Sequence, residues 1–308
     1  MGISEDSIRA VVPDRLNGER ADKAVATLAA VSRSVAKSML EDGSATFDGM
    51  TVEPSTRVSA GAELVANVPP PFELEPEPVD FAVLYEDADV AVVDKPPGMV
   101  VHPGAGNQRG TLAAGLLQRW PQLHGVGEAN RWGIVHRLDR DTSGALLVAK
   151  TAAAHATLST ALKERTVVRC YTALVIGAFD ISTGTIDVPI GRDPRDPTRF
   201  AIRPEGRNAV THYEVTRSLG ETSLLRVTLE TGRTHQIRVH LAAIGHPVCG
   251  DDVYGPGGGP AMPRTFLHAA VVSFPHRGEL VSVESPLPAD LADALAALLA
   301  EEGSGHVA

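Results

Sequence analysis

Apolar and polar positions follow two different periods along this chain of 308 residues. Near the start, Leu16, Val25 and Leu28, and then Val35, Met39 and Leu40, fall at helical spacing and predict two short helices. Ser32 or Ser34 supplies an N-cap for the second helix, and Gly43 its stop. The segment ATFDGMTV (45–52) reads as strand, Asp-Gly turn and strand; residues 56–68 continue in strand fashion with a turn at Ala60-Gly61. From 69 to 80, five prolines withhold ladder hydrogen bonds and four carboxylates favour an extended, solvated chain, so PPPFELEPEPVD is expected to be a linker.

Beyond it, residues 81–96 hold two apolar β-rich runs joined by the acidic turn Glu86-Asp87. Residues 111–120 read as a helix, 145–149 as a buried strand and 151–165 as an alanine-rich helix. Strands are predicted at 167–176, 210–217 and 223–230. A helix capped by Thr234 should end at Gly245, and a last one, capped within Pro288 to Asp290, should reach about residue 300. Strands and helices interleave without a regular βαβ rhythm, which favours an α+β class over a doubly wound sheet. The expected division is an N-terminal domain at 1–68, the linker at 69–80, a larger domain at 81–300 and a flexible tail at 301–308.

Composition narrows the picture. With 43% hydrophobic residues a sizeable core is within reach, and with 4% aromatics a groove built mainly on stacked rings is not. Two cysteines, Cys170 and Cys249, are too few for a disulfide framework. The opening MGISEDSIRA lacks the basic start and apolar run of a secretory signal, and no stretch approaches the ~20 apolar residues of a membrane helix. These features lead to the expectation of a soluble, cytoplasmic monomer with no membrane association.

The net charge of −10 speaks against nucleic acid only on average. Residues 1–68 hold 7 Lys+Arg against 10 Asp+Glu, whereas residues 131–240 hold 16 against 11, a local excess of five cations. Phosphate binding depends on where cations cluster, so RNA stays open as a partner.

Two stretches carry candidate chemistry. In GIVHRLDRDTSGALLVAK (133–150), a carboxylate, Asp139, stands between Arg137 and Arg140 where a strand-like run enters a polar turn. A turn in which Asp139 and Asp141 merely cap backbone amides explains the same residues. In LETGRTHQIRVHLAAIGHPVCGDDVYG (229–255), Ile237, Leu241 and Ile244 form one helical face, and Arg238 sits at its edge, able to reach inward or to lie in solvent. His235, His240, His246, Cys249 and Asp251 match no zinc spacing, so no metal is expected. GAGNQRG (104–110) has the wrong register for a dinucleotide loop, and Ser34 to Lys37 match a serine–lysine pattern without its companion motifs. Ser143, His136 and Asp139 lie too close together in sequence to converge as a triad.

Taken together, HRLDRDTSG (136–144), RCYTALVIG (169–177) and GRTHQIRVHLAAIGHPVCGD (232–251) resemble the RluA/RluD-type pseudouridine synthases. DKPPGMVVHPGAGN (94–107) is similar to the same family, especially its RluD branch, and the likeness covers about residues 81–290. Residues 14–68 resemble the small αL RNA-binding module found ahead of the catalytic domain in the RluC and RluD branches, on RLNGERADKAVA, SRSVAKSMLEDG and the hairpin. The resemblance implies a pseudouridine synthase fold: a mixed, mainly antiparallel central sheet flanked by helices, preceded by an αL domain. It implies that a uridine in RNA is isomerised in place, in large-subunit ribosomal RNA or its subunit precursor, without a cofactor.

The family's nucleophilic aspartate falls on Asp139, its active-site tyrosine on Tyr171 and its QIR arginine on Arg238. Arg137 falls on the arginine that fills the place of the flipped nucleotide. His136, Arg140, Arg233 and Ile237 are expected to bind substrate, with Arg131, Lys163, Arg165 and Arg169 as further backbone contacts. Arg192, Arg195, Arg199, Arg203 and Arg207, on the Pro-rich stretch 191–207, are expected to touch phosphate.

The residue types suit that chemistry. Burial alone would neutralise a carboxylate, whereas a guanidinium at ~4 Å attracts it by roughly 4 kcal/mol at an effective dielectric of 20. Tyr171 should share a strand face with Arg169 and Val167. From pattern alone, a tyrosine buried in a core without function is the favoured explanation of Tyr171. Two features depart from the family: the αL module is net acidic, and Arg169 and Cys170 precede the tyrosine where a lysine is usual. The rival classes are a non-catalytic RNA-binding or ribosome-assembly factor on this scaffold, and a hydrolase using Ser143 or a metal.

Overall fold

In the computed structural model the chain forms two compact units, residues 1–73 and 74–308. The structure describes residues 7–69, 73–104, 106–127, 130–196, 198–255 and 259–304.

In the smaller unit, β1 (Ser7–Val11), β2 (Ala45–Phe47) and β3 (Glu63–Asn67) form an antiparallel sheet in the order β1-β3-β2. Helices α1 (Ala21–Leu28) and α2 (Arg33–Glu41) complete it, burying Val25, Met39, Leu40 and Phe47 with Leu64. Ser32 is the N-cap of α2, its hydroxyl accepting the Val35 N–H. The Asp48-Gly49 turn forms with both φ angles positive (50° and 76°), as a tight hairpin turn requires. The expected second strand does not continue beyond it: Met50 closes the turn with Phe47, and β2 takes its ladder from β3. β1 has too short an apolar pattern to be predicted from the sequence.

The larger unit is built on one sheet in the order β4-β5-β6-β13-β7-β12-β11-β8, with β14 added on β13. Its strands are β4 (Ala82–Glu86), β5 (Val90–Lys95), β6 (Ser143–Ala149), β7 (Val168–Ile176), β8 (Thr183–Asp187), β11 (Val210–Leu219), β12 (Thr222–Leu229), β13 (Leu267–His276) and β14 (Glu279–Glu284). Only β6 and β13 run parallel, so the sheet is mixed and mainly antiparallel, as expected of an α+β chain. β6 is buried along its whole length, in keeping with its unbroken apolar run. Gly144 permits the parallel pairing: a Cβ there would stand 2.3 Å from the Ala269 carbonyl oxygen.

Helices α3 (Leu112–Arg119), α4 (Ala152–Lys163), α5 (Gln236–Ala243) and α6 (Ala289–Ser304) flank this sheet, and a separate hairpin joins β9 (Ile190–Arg192) to β10 (Phe200–Ile202). Thr111 and Thr151 cap α3 and α4 by accepting the Ala114 and Ala154 N–H groups.

Two boundaries differ from expectation. Residues 74–80 are exposed for the most part, as expected, but are docked on the larger unit: Leu74 is buried in its core and the Glu77 N–H donates to the Ala114 carbonyl. The prolines stop this segment from joining a ladder but leave it free to strap α3. The helix expected to end near 300 continues to Ser304, into the stretch expected to be a flexible tail; residues 305–308 lie outside those described. Among the described residues no helix is long and apolar enough to cross a membrane.

Candidate active site

Asp139 is displayed by a segment pinned to the edge of β6. The Gly133 carbonyl accepts the Ala149 N–H at 2.8 Å. Gly133 has φ of 75°, and a Cβ there would stand 2.2 Å from the Ala149 carbonyl oxygen, so only glycine fits. One turn on, His136 Nε2 accepts the Leu147 N–H at 3.0 Å. Its proton therefore sits on Nδ1, and burial pushes the imidazole pKa down to about 3, with Arg169 adding in the same direction. Leu138, 4% exposed, anchors the next step in the core.

The carbonyls of the following residues are then clamped in succession. The Asp139 carbonyl accepts from Thr142 N–H at 3.2 Å, that of Arg140 from the Lys95 ammonium at 2.9 Å, and that of Asp141 from Arg264 Nη1 at 2.9 Å. Arg264 is itself held by Asp290 at 2.7 Å. A carboxylate on such a turn is fixed by its main chain, the rigidity that a reacting group needs.

Arg238 meets it from α5, 99 positions downstream. Its Nη1 lies 3.5 Å from Asp139 Oδ2, while Nε and Nη2 form a paired contact with Asp251 at 2.7 and 2.8 Å. The side chains of Arg238, Asp139 and Asp251 are 10%, 17% and 0% exposed, so water screens none of them strongly. At 3.5 Å and an effective dielectric of 20, Arg238 and Asp139 attract by about 5 kcal/mol.

Asp251 is the stronger partner. Burial works to raise its pKa, but Arg238 and the Val253 and Tyr254 amides hold the carboxyl below its ordinary value. The Tyr254 ring lies 5.1 Å from the Arg238 guanidinium carbon on its open face.

α5 is placed by its own polar side chains. Gln236 donates to Thr211 Oγ1 and the Val210 carbonyl, and His240 bridges Thr211 and the Val188 carbonyl. The expected cap, Thr234, is not used. The helix starts after His235, which takes a left-handed φ of 57°, and Tyr254 Oη, which accepts the Phe200 N–H, is hydrogen-bonded to His235 Nδ1 at 2.8 Å.

Of these groups, Asp139, Arg238, His136 and His235 line one cleft of about 660 Å³. Tyr171 forms part of its wall from β7, 5% exposed, on the same face as Arg169; burial pushes its hydroxyl up to about 12, against the pull of Arg169. Among the described residues eight cations line the cleft (Arg131, Arg137, Lys163, Arg165, Arg169, Arg207, Arg233 and Arg238) against two carboxylates, Asp139 and Glu230. Ile237 packs beneath them at 4% exposure, and Arg233 Nε donates to the Asn208 carbonyl.

Arg140 does not join them. It is exposed, lies outside the cleft and pairs with its neighbour Asp141, because successive side chains on a tight turn diverge. Of the arginines on 191–207, Arg207 alone reaches the cleft wall. Arg192 and Arg199 lie over Phe200 and Tyr254, and Arg203 pairs with Glu205.

Ser143 is 2% exposed and donates to His268 Nδ1, whose Nε2–H is given to the Ser285 carbonyl; Arg264 closes the other side. It has no access to a substrate carbonyl. His240 and Asp251 are committed to protein partners, and His246 Nδ1 to the Ile176 carbonyl, so they do not converge as a donor set.

Sequence reasoning missed Lys95 and Tyr254, and weighed Asp251 only as a metal ligand, not as the partner of Arg238. Lys95 is completely buried and its ammonium gives one bond each to the Pro96, Met99 and Arg140 carbonyls. Burial pulls its pKa down to about 7, with Asp141 and Asp139 opposing. An Asp-Lys-Pro-Pro run ending an apolar strand was the available signal. Replacing Lys95 by Met leaves three carbonyls without their donor and should lower stability by about 2–4 kcal/mol, with loss of activity, measured by urea unfolding of the purified variant.

Proteins similar to this chain identify its family. A family model described as RNA pseudouridylate synthase matches residues 89–243. Ribosomal large subunit pseudouridine synthase D of Nitrosomonas europaea is 42% identical over 309 residues, spanning 96% of this chain and 89% of that protein. The uncharacterized RNA pseudouridine synthase YlyB of Bacillus subtilis is 44% identical over 280 residues, spanning 89% of this chain and 92% of that one. Among solved structures, human RNA pseudouridylate synthase domain containing 1 superposes with a TM-score of 0.56 at 30% identity, over 75% of this chain and 98% of that one. On motifs, fold and relatives alike, the chain belongs to the RNA pseudouridylate synthase family, of the RluA/RluD type.

Proposed function

We propose that this enzyme converts uridine to pseudouridine in large-subunit ribosomal RNA, with Asp139 as its nucleophile. The observation that carries the reading is the Asp139–Arg238 contact at 3.5 Å inside a cleft lined by eight cations. The substrate assignment draws on the relatives from Nitrosomonas europaea and Pseudomonas aeruginosa, each 42% identical and each named ribosomal large subunit pseudouridine synthase D.

In this reading the target nucleotide is flipped into the cleft, at a cost of a few kcal/mol, and Arg137 at the exposed mouth takes its place in the RNA. Asp139 opens the reaction by attack on the ribose or on the base. The N1–C1′ bond breaks, the uracil turns, and a C5–C1′ bond forms; C5 loses a proton and N1 gains one, so atoms and electrons balance without a cofactor. Tyr171 stacks on the uracil, and its hydroxyl assists removal of the C5 proton. Arg238, neutralised on its other edge by Asp251, offers Nη1 to Asp139. Arg233 and Ile237 border the bound nucleotide. The N-terminal unit is read as an αL-type RNA-binding module, and the protein as a cytoplasmic monomer whose partner is the ribosomal RNA or its subunit precursor.

Mapping pseudouridines in ribosomal RNA from cells with and without this protein tests the proposal. One or more large-subunit positions should revert to uridine when it is absent; an unchanged large-subunit map would overturn the substrate assignment.

A further inference from the structure

Among the described residues, Arg169 is the buried cation of the cleft that lacks a carboxylate partner. It is 7% exposed, its Nε is buried with no acceptor, and its Nη2 reaches only the Leu229 and Glu230 carbonyls at 3.5 and 3.4 Å. Among the described residues no carboxylate forms an ion pair with it. A buried guanidinium left in this state is costly, and its five donors are far from satisfied.

Buried as it is, Arg169 borders the cleft, and the chain beside it leaves the guanidinium its space there. Gly232 lines the cleft and is exposed, and a Cβ there would stand 2.6 Å from Arg169 Nη1. Three more arginines, Arg165, Arg207 and Arg233, line the same wall. They are near enough to repel: after burial, Arg207, Arg165 and Arg169 are what hold the Arg233 pKa below its ordinary value. Among the described residues Glu230 is the one carboxylate lining this wall, and it is shared between Arg165 and His212.

Four guanidiniums gathered about one shared carboxylate favour an anion with several acceptor oxygens, and the planar fork of arginine matches phosphate. We propose that Arg169, with Arg207 and Arg233, forms a subsite for a backbone phosphodiester of the RNA beside the target nucleotide. This rests on the reading of RNA as substrate. Arg169 and Tyr171 are two residues apart on one face of β7, about 7 Å along the strand, so the subsite adjoins the place given to the base.

The test compares wild type with Arg169→Met and Arg169→Lys in the full chain. Melting is followed with and without sulfate, and anisotropy titrations use a short uridine-containing single-stranded RNA over a range of salt. R169M should melt higher than wild type in the absence of anions and lose the stabilisation by sulfate. It should bind RNA roughly tenfold to a hundredfold more weakly, with the log–log salt slope reduced by about 0.7. R169K should recover the slope but not the full affinity.

An R169M protein that melts lower than wild type and keeps the wild-type slope makes Arg169 structural and overturns the proposal, as does a lysine variant that fails to recover the slope. Binding is read apart from turnover. A reduced slope in a protein that forms no pseudouridine would refute the isomerisation and leave the phosphate subsite standing.

Discussion

Replacing Asp139 with alanine should abolish turnover, a loss of at least roughly 10⁴-fold, while RNA affinity stays near the wild-type value. The measurement is release of label from C5 of uridine in RNA, alongside an RNA-binding titration. The variant should also fold. Asp139 is partly open, at 17% side-chain exposure, and its removal leaves Arg238 with the paired contact to Asp251 at 2.7 and 2.8 Å. No buried cation is orphaned. Taking a carboxylate from a cleft lined by eight cations does not weaken its attraction for phosphate. Binding and chemistry therefore separate at this residue, and measurable turnover in a folded Asp139→Ala protein would refute the nucleophile assignment.

Periodicity carries the outline of the larger unit: β5 and β6, buried on both faces, read as apolar runs, β7 and β12 as strands with one face more buried than the other, and the helices as alanine-rich or amphipathic segments. It fails where pairing is set by distant chain. The pattern gives β2 a partner across its own turn, but β3 captures it. β13 and β14 escape it altogether, since LHAAVVSFPH carries Pro275 and two histidines in an otherwise strand-like run.

The site shows the same division. Asp139, Tyr171 and Arg238 lie 32 and 67 positions apart in succession, and no spacing rule brings them together; the family resemblance does. Lys95 and Asp251 escape because a buried charge is intelligible only through its partners, three carbonyls for one and a guanidinium for the other. Arg140 is misplaced for the opposite reason: adjacency to Asp139 in sequence puts it on the outer side of the turn.

The largest stability loss should follow from Asp251→Ala. That carboxylate is wholly buried and satisfies Arg238 Nε and Nη2 together with the Val253 and Tyr254 amides. Its removal leaves a guanidinium at 9% residue exposure with Asp139, at 3.5 Å, as its remaining carboxylate. Breaking a buried pair from one side costs about 3–5 kcal/mol, roughly 10 °C in melting temperature for a unit of this size. Arg238→Met in the Asp251→Ala background should restore part of that stability but none of the activity, since the penalty comes from the orphaned cation. The pH dependence has a definite sign. Because the folded-state pKa of Asp251 lies below its ordinary value, its contribution is fully present above the unfolded carboxyl value near 4. It is lost as pH falls through the lower, folded value. The stability gap between wild type and Asp251→Asn should thus be level from about pH 6 to 8 and close below about pH 4. Strict additivity of the Asp251→Ala and Arg238→Met losses, or a gap that widens in acid, would show that the two side chains do not act as a pair.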